Sequence, residues 1–173
     1  MIYDSCWLPD LVERDDFNDW QAYEDELYKI FRETIVDGYP VFKGRPVRIR
    51  RHPMEYNREE AFWHVTCQDY AKDGKRLPDP RRCERIKWVR AFIDNCECQR
   101  EACRECDGML MWSAPYKSGR RVKILLEEER YVVILEPRDS YALLITAYYI
   151  DHEHSLRKML KEYNTIKQQG TPM

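Results

Sequence analysis

The chain has 173 residues, 43% apolar and 13% aromatic, with a formal net charge of −2. That length and composition suit one domain with a real core, and the near-neutral balance argues neither for nor against an anionic partner. No stretch approaches the roughly 20 apolar residues needed to cross a bilayer. The N-terminus also lacks the basic and apolar regions of a signal peptide, so the expected setting is cytoplasmic, with no membrane partner.

The charge is unevenly spread. Residues 1–27 carry nine acidic side chains against the single basic Arg14, whereas residues 43–90 carry fourteen basic against seven acidic. Such asymmetry predicts a local anion-binding face.

Residues 1–16 read as an acidic, irregular lead-in. Asn18 or Asp19 can cap a helix to about Asp37, with Trp20, Tyr23, Leu27, Ile30, Phe31, Thr34 and Ile35 as its apolar stripe. Gly38 and Pro40 end it. Two short strands are expected around the Lys43-Gly44-Arg45 turn. There Arg48 and Arg50 alternate with Val47 and Ile49, giving one basic and one apolar face. The segment EAFWHVTC, residues 60–67, has strand composition and would put Phe62, His64 and Thr66 on one face. Residues 68–80 read as a polar surface loop. A second helix is expected from Arg81 to Asn95, with Cys83, Ile86, Val89, Arg90 and Ile93 along one side.

Strands follow at 109–114, 121–127, 131–136 and 141–150, with connections short enough for antiparallel hairpins. A last helix starts near Asp151 and presents Leu156, Met159, Leu160 and Tyr163. The tail at 164–173 is polar. Grouped strands predict an α+β fold: an antiparallel sheet of four to six strands with helices packed on one face and the other open for binding. One domain would span 17–163, with a cysteine-rich loop at 95–107.

Cys96, Cys98, Cys103 and Cys106 lie within eleven residues. In a reducing compartment they are thiols or metal ligands rather than disulfides. Four thiolates would make a structural rather than a catalytic zinc site; the other reading is a loop of reduced cysteines without metal. Cys6, Cys67 and Cys83 are expected to be ordinary buried cysteines.

Cleaving RNA without a metal needs a base for the 2′-hydroxyl, an acid for the leaving 5′-oxygen and cations at the phosphorus. His64 is the foremost candidate, since histidine titrates near neutrality. Arg82 and Arg85 offer donor forks suited to phosphate. Thr146 and Tyr148 stand at the end of an otherwise apolar strand. Arg48, Arg50, Arg51, His52 and Lys87 are candidate nucleic-acid contacts. The sequence holds no P-loop, nucleophile elbow, zincin motif or Rossmann fingerprint.

Three stretches carry a resemblance: RIRRHP…REEAFWHVT, then PDPRRCERIKWVR, then YVVILEPRDSYALLITAYYIDHEHSLRKMLKEY. Together they resemble a bacterial and phage-associated branch of the barnase–EndoU–colicin–RelE-like (BECR) ribonuclease superfamily, over roughly residues 39–163. The resemblance implies an antiparallel sheet with packed helices and a metal-independent RNase or tRNase activity. It implies a toxin or phage-defence role, with RNA as substrate and a cognate inhibitor or antitoxin as partner. By position it implies His64, Arg82, Arg85, Thr146 and Tyr148 as site residues, with no cofactor for catalysis. The cysteine loop and the acidic N-terminal segment lie outside it. The alternative is a non-catalytic nucleic-acid-binding or regulatory module, zinc-stabilised or not, that uses the same basic face.

Overall fold

The computed structural model describes residues 7–68, 74, 76–98 and 108–170. Helix α1 (Trp20–Phe31) is capped by Asp19, whose carboxylate accepts from the Ala22 N–H at 2.7 Å, and it continues through a wider turn at Arg32–Val36. Strands β1 (Val41–Phe42) and β2 (Arg45–Ile49) form the expected small hairpin. After α2 (Glu60–Thr66), α3 (Pro80–Glu84) and α4 (Ile86–Asp94) come four strands: β3 (Leu110–Tyr116), β4 (Gly119–Leu126), β5 (Tyr131–Pro137) and β6 (Ala142–Tyr149). Helix α5 (Glu153–Gln168) follows. The fold is α+β, and the six strands among the described residues run in the order β1-β2-β6-β5-β4-β3. All pairings are antiparallel except β2 with β6, which is parallel and confined to Ala142–Leu144 on β6.

Two local expectations are corrected. Residues 60–66 are helix, not strand. Phe, Trp, Val and Thr give that segment strand composition, but seven residues are too few for periodicity to discriminate. Tertiary packing decides instead. Ala61, Phe62, Trp63, Val65 and Thr66 are all buried, and the Phe62 ring packs edge-on against Tyr28 and Phe31 of α1. Near-continuous burial comes from a short helix wedged between α1 and β6. The expected helix from Arg81 to Asn95 is likewise two helices, broken at Arg85, where φ is −101° and ψ 19°. Its start is sharp: Pro80 takes the first turn and the Asp79 carboxylate accepts from the Arg81 and Arg82 N–H groups.

The main core lies on one sheet face. Val122, Ile124, Leu126, Tyr131, Val133, Leu135, Leu144 and Ala147 meet α1, α2 and α4 there. On the second face α5 crosses the far end of the sheet, over Trp112, Leu125, Val132 and Ile150. The acidic lead-in is docked on the helical side: Val12 N–H donates to the Glu84 carbonyl, and the Trp88 indole N–H to the Pro9 carbonyl, both at 2.9 Å. Among the described residues, no helix is long and apolar enough to cross a membrane.

Candidate functional site

The second sheet face is left open where α5 ends its coverage. A bulge on β6 decides which side chains floor that opening. Ile134 pairs with Thr146 but Leu135 pairs with Leu144, so Ile145 is an extra residue. The bulge keeps Leu144 and Ala147 in the main core while turning Thr146 and Tyr148 to the open face. Because β2 stops pairing at Leu144, α2 and α3 pack along the rest of β6.

The result is a pocket of about 330 Å³. Its polar lining is Arg50, His64, Arg82, Tyr116, Arg121, Thr146 and Tyr148, and among the described residues no carboxylate lines it. Four of the five residues singled out as candidate catalysts therefore converge. The His64 carbonyl ties them together: it accepts from the Thr146 hydroxyl at 3.0 Å and from Arg82 Nη1 at 2.9 Å. It belongs to the last turn of α2, where carbonyls lack intrahelical partners, so both side chains also cap that helix. Arg82 lies 5.3 Å from the Tyr148 ring centre, and its Nε is 3.5 Å from Asp79 without hydrogen-bond geometry.

His64 Nε2 is 3.2 Å from Glu60 Oε1, and Arg76 lies 3.7 Å from the same oxygen. An ionised carboxylate only accepts, so an imidazole that carries one proton in this contact donates from Nε2 and has its lone pair on Nδ1. In that tautomer a proton-accepting nitrogen sits on a residue that lines a cationic pocket.

Arg85 stands apart. It is buried on the helical side, pairs with Glu84, donates to the Arg81 carbonyl at 3.1 Å and lies over Trp88 and Tyr149. Of the candidate nucleic-acid contacts only Arg50 lines the pocket. Arg48, two residues earlier, lies over the Tyr141 ring. Arg51 pairs with Glu59 at 3.6 Å, and His52 and Lys87 are exposed outside the pocket wall.

No family model, curated protein or solved structure matches the chain. The site is therefore read on its own geometry.

That geometry adds two residues the sequence reading passed over, Tyr116 and Arg121, which lie near the β3–β4 turn. Their signal was present. Arg121 and Lys123 alternate with Val122 and Ile124, the same basic-and-apolar pattern that marked Arg48 and Arg50. The Arg121 guanidinium lies 3.5 Å from the Tyr116 ring centre, and its Nε is 3.5 Å from Glu136 without a hydrogen bond.

Cys96 is a buried free thiol and Cys98 is half-buried; Cys6, Cys103 and Cys106 lie outside the described residues. Among the described residues no group of three His, Cys, Asp or Glu side chains could hold a metal ion. Cys67 and Cys83 are buried, and burial pushes both thiols up from their ordinary value, which suits inert core cysteines.

Proposed function

We propose that the protein is an endoribonuclease that cleaves RNA by internal attack of a 2′-hydroxyl on the adjacent phosphate, without a metal. The convergence of His64, Arg82, Thr146 and Tyr148 with two further arginines in one pocket carries this reading. His64 Nδ1 takes the 2′-hydroxyl proton as the 2′-oxygen bonds to phosphorus. The guanidinium groups of Arg50 and Arg82 stabilise the charge that gathers on the phosphoryl oxygens. The Tyr148 phenol, beside Arg82, gives its proton to the departing 5′-oxygen. The products are a 2′,3′-cyclic phosphate and a 5′-hydroxyl. Thr146 positions His64 through its carbonyl. In this reading the biological role is that of a toxin or phage-defence effector held in check by a cognate inhibitor. A structural zinc on Cys96, Cys98, Cys103 and Cys106 is a separate proposal, supported by their clustering in the sequence.

The deciding experiment incubates purified protein with RNA in EDTA and looks for 2′,3′-cyclic phosphate ends. Cleavage is expected from the wild type and lost in folded His64→Ala. Cutting that persists in both His64→Ala and Arg82→Ala would overturn the site. A second reading, a non-catalytic nucleic-acid-binding or regulatory module, draws support from the capping of α2 by Arg82 and Thr146, which explains both residues without chemistry. It predicts salt-dependent RNA binding with no cleavage.

A further inference from the structure

We infer that Tyr116 and Arg121 form a nucleotide subsite, so that the pocket admits one unstacked nucleotide and selects single-stranded over duplex RNA. The inference rests on the reading that the pocket takes RNA. It goes further by naming the strandedness and the residues that enforce it.

The pocket's size is the first observation. About 330 Å³ is on the scale of a single nucleotide. The second is the arrangement of its rim. Tyr116 is exposed at the end of the edge strand β3, and Tyr148 stands on β6, two strands beyond β4; both line the same pocket. Aromatic faces accept any base by stacking, which requires the base to have left its neighbours. The third is the state of Arg121. Its guanidinium carbon lies 3.5 Å from the Tyr116 ring centre, and among the described residues its ion pair is the Nε contact with Glu136. Glu136 also pairs with Arg138, so two cations share one carboxylate. The Nη groups of Arg121 have no protein acceptor among the described residues and belong to a pocket-lining side chain. A fixed fork beside an aromatic platform fits a phosphate attached to a stacked base.

The two residues then divide the work. Arg121 holds phosphate and contributes to the salt dependence, while Tyr116 holds the base and does not. Arg120, next along β4, supplies a control. It points to the opposite side of the strand and is engaged by Ser113 at 2.8 Å. Its removal changes the net charge by the same amount without touching the pocket.

The test measures fluorescence-anisotropy binding of a short 2′-O-methyl RNA, which lacks the attacking hydroxyl, to the wild type, Tyr116→Ala, Arg121→Ala, Arg121→Gln and Arg120→Ala. Circular dichroism melts check that each variant folds. Tyr116→Ala should weaken single-strand binding roughly five- to hundredfold with an unchanged salt slope. Either Arg121 variant should weaken it about tenfold and lower the log–log salt slope by about 0.7. An abasic probe should abolish the Tyr116 effect and keep that of Arg121, and a duplex probe should bind more weakly than the single strand. Wild-type-like binding by Tyr116→Ala and both Arg121 variants overturns the inference. So does equal binding of duplex, an Arg120→Ala effect as large as that of Arg121→Ala, or no binding by the wild type. If binding behaves as expected while unmodified RNA stays intact, the subsite stands and the ribonuclease reading falls. If RNA is cut equally well by wild type, Tyr116→Ala and Arg121→Ala, the reverse holds.

Discussion

The His64 carbonyl is where the architecture of the site can be tested without assuming any activity. Thr146→Val removes its hydroxyl donor at nearly constant volume and leaves the Arg82 bond in place. A net intramolecular hydrogen bond is worth about 0.5–1.5 kcal/mol, so the expected loss is about 1 kcal/mol. For a chain of this length that lowers Tm by about 2–4 °C, or the urea midpoint by about 0.4 M for a slope near 2.5 kcal/mol/M. Arg82→Met keeps the apolar stem but removes a charged donor, the partner of Asp79 and the cation over Tyr148. It should cost roughly 2–3 kcal/mol. The double variant strips the carbonyl of both donors. Its loss should exceed the sum of the singles by about 1 kcal/mol, because only then does the acceptor go unpaired. The assay is a double-mutant cycle from urea unfolding curves. Additivity within about 0.3 kcal/mol, or a Thr146→Val midpoint equal to the wild type's, would refute the view that this carbonyl joins α2, α3 and β6.

Further expectations follow from buried polar groups. Arg58 pairs with Glu24 at 2.7 Å and with Asp25, and lies over the Tyr28, Phe62 and Trp63 rings. Arg58→Met should destabilise by roughly 2–3 kcal/mol in urea unfolding, chiefly by leaving Glu24 without its cation and with only the Trp20 indole N–H as side-chain donor among the described residues. Burial pushes the Glu59 carboxyl up, but hydrogen bonds from its own backbone N–H, Tyr28 and Arg32 outweigh it and hold the group below its usual range. Its folded value is depressed, so its contribution is present above the unfolded value near ~4.3 and fades as pH falls through the folded value. The stability gap between wild type and Glu59→Gln should therefore shrink between neutral pH and pH ~3, read from urea midpoints. The Tyr131 hydroxyl is buried with no partner among the described residues, and burial raises its pKa. Tyr131→Phe should leave stability unchanged or raise it by about 1 kcal/mol; a loss beyond about 1 kcal/mol would mean that the phenol has an ordered partner. For the cysteine cluster, elemental analysis of protein purified without added metal should find zinc, and losing it in Cys96→Ser would tie it to that loop.

What could be read from the sequence follows the physics of each segment. Long periodic stretches were legible: the α1 stripe from Trp20 to Ile35, the β-runs from residue 109 onward, and a helix start at Asn18 or Asp19, of which Asp19 is the cap. So was the alternation that put Arg50 on a basic face. The short segment at 60–66 was not, because its residues favour strand locally and only its wedged position makes them helical. That error bears on the site. As a strand, 60–66 would have offered Thr66 beside His64, whereas in α2 Thr66 turns inward and donates to the Phe62 carbonyl at 2.8 Å. The bulge at Ile145, which aims Thr146 and Tyr148, leaves no mark in the apolar run around it. The break at Arg85 was equally silent: one residue with φ −101° sends Arg82 to the pocket and Arg85 into the opposite core.

Arg82 raises the sharpest question about the site, since a helix cap and a phosphate clamp could each explain it. A guanidinium has five N–H donors in a rigid fork. Among the described residues, one is committed to the His64 carbonyl and the Nε–H faces Asp79, leaving others for the pocket the side chain lines. Capping therefore does not exhaust it, and the two roles separate in Arg82→Lys. An ammonium keeps the charge but cannot bridge the carbonyl and a phosphate with fixed geometry. Arg82→Lys should restore the RNA affinity lost in Arg82→Met, and its salt slope, while cleavage falls about 10²-fold or more, the scale of losing one preorganised donor to a developing charge. If Arg82→Lys cuts RNA at the wild-type rate, charge alone suffices and the fork has no part in the chemistry. If it recovers stability but neither binding nor cutting, Arg82 grips phosphate through geometry that charge cannot replace.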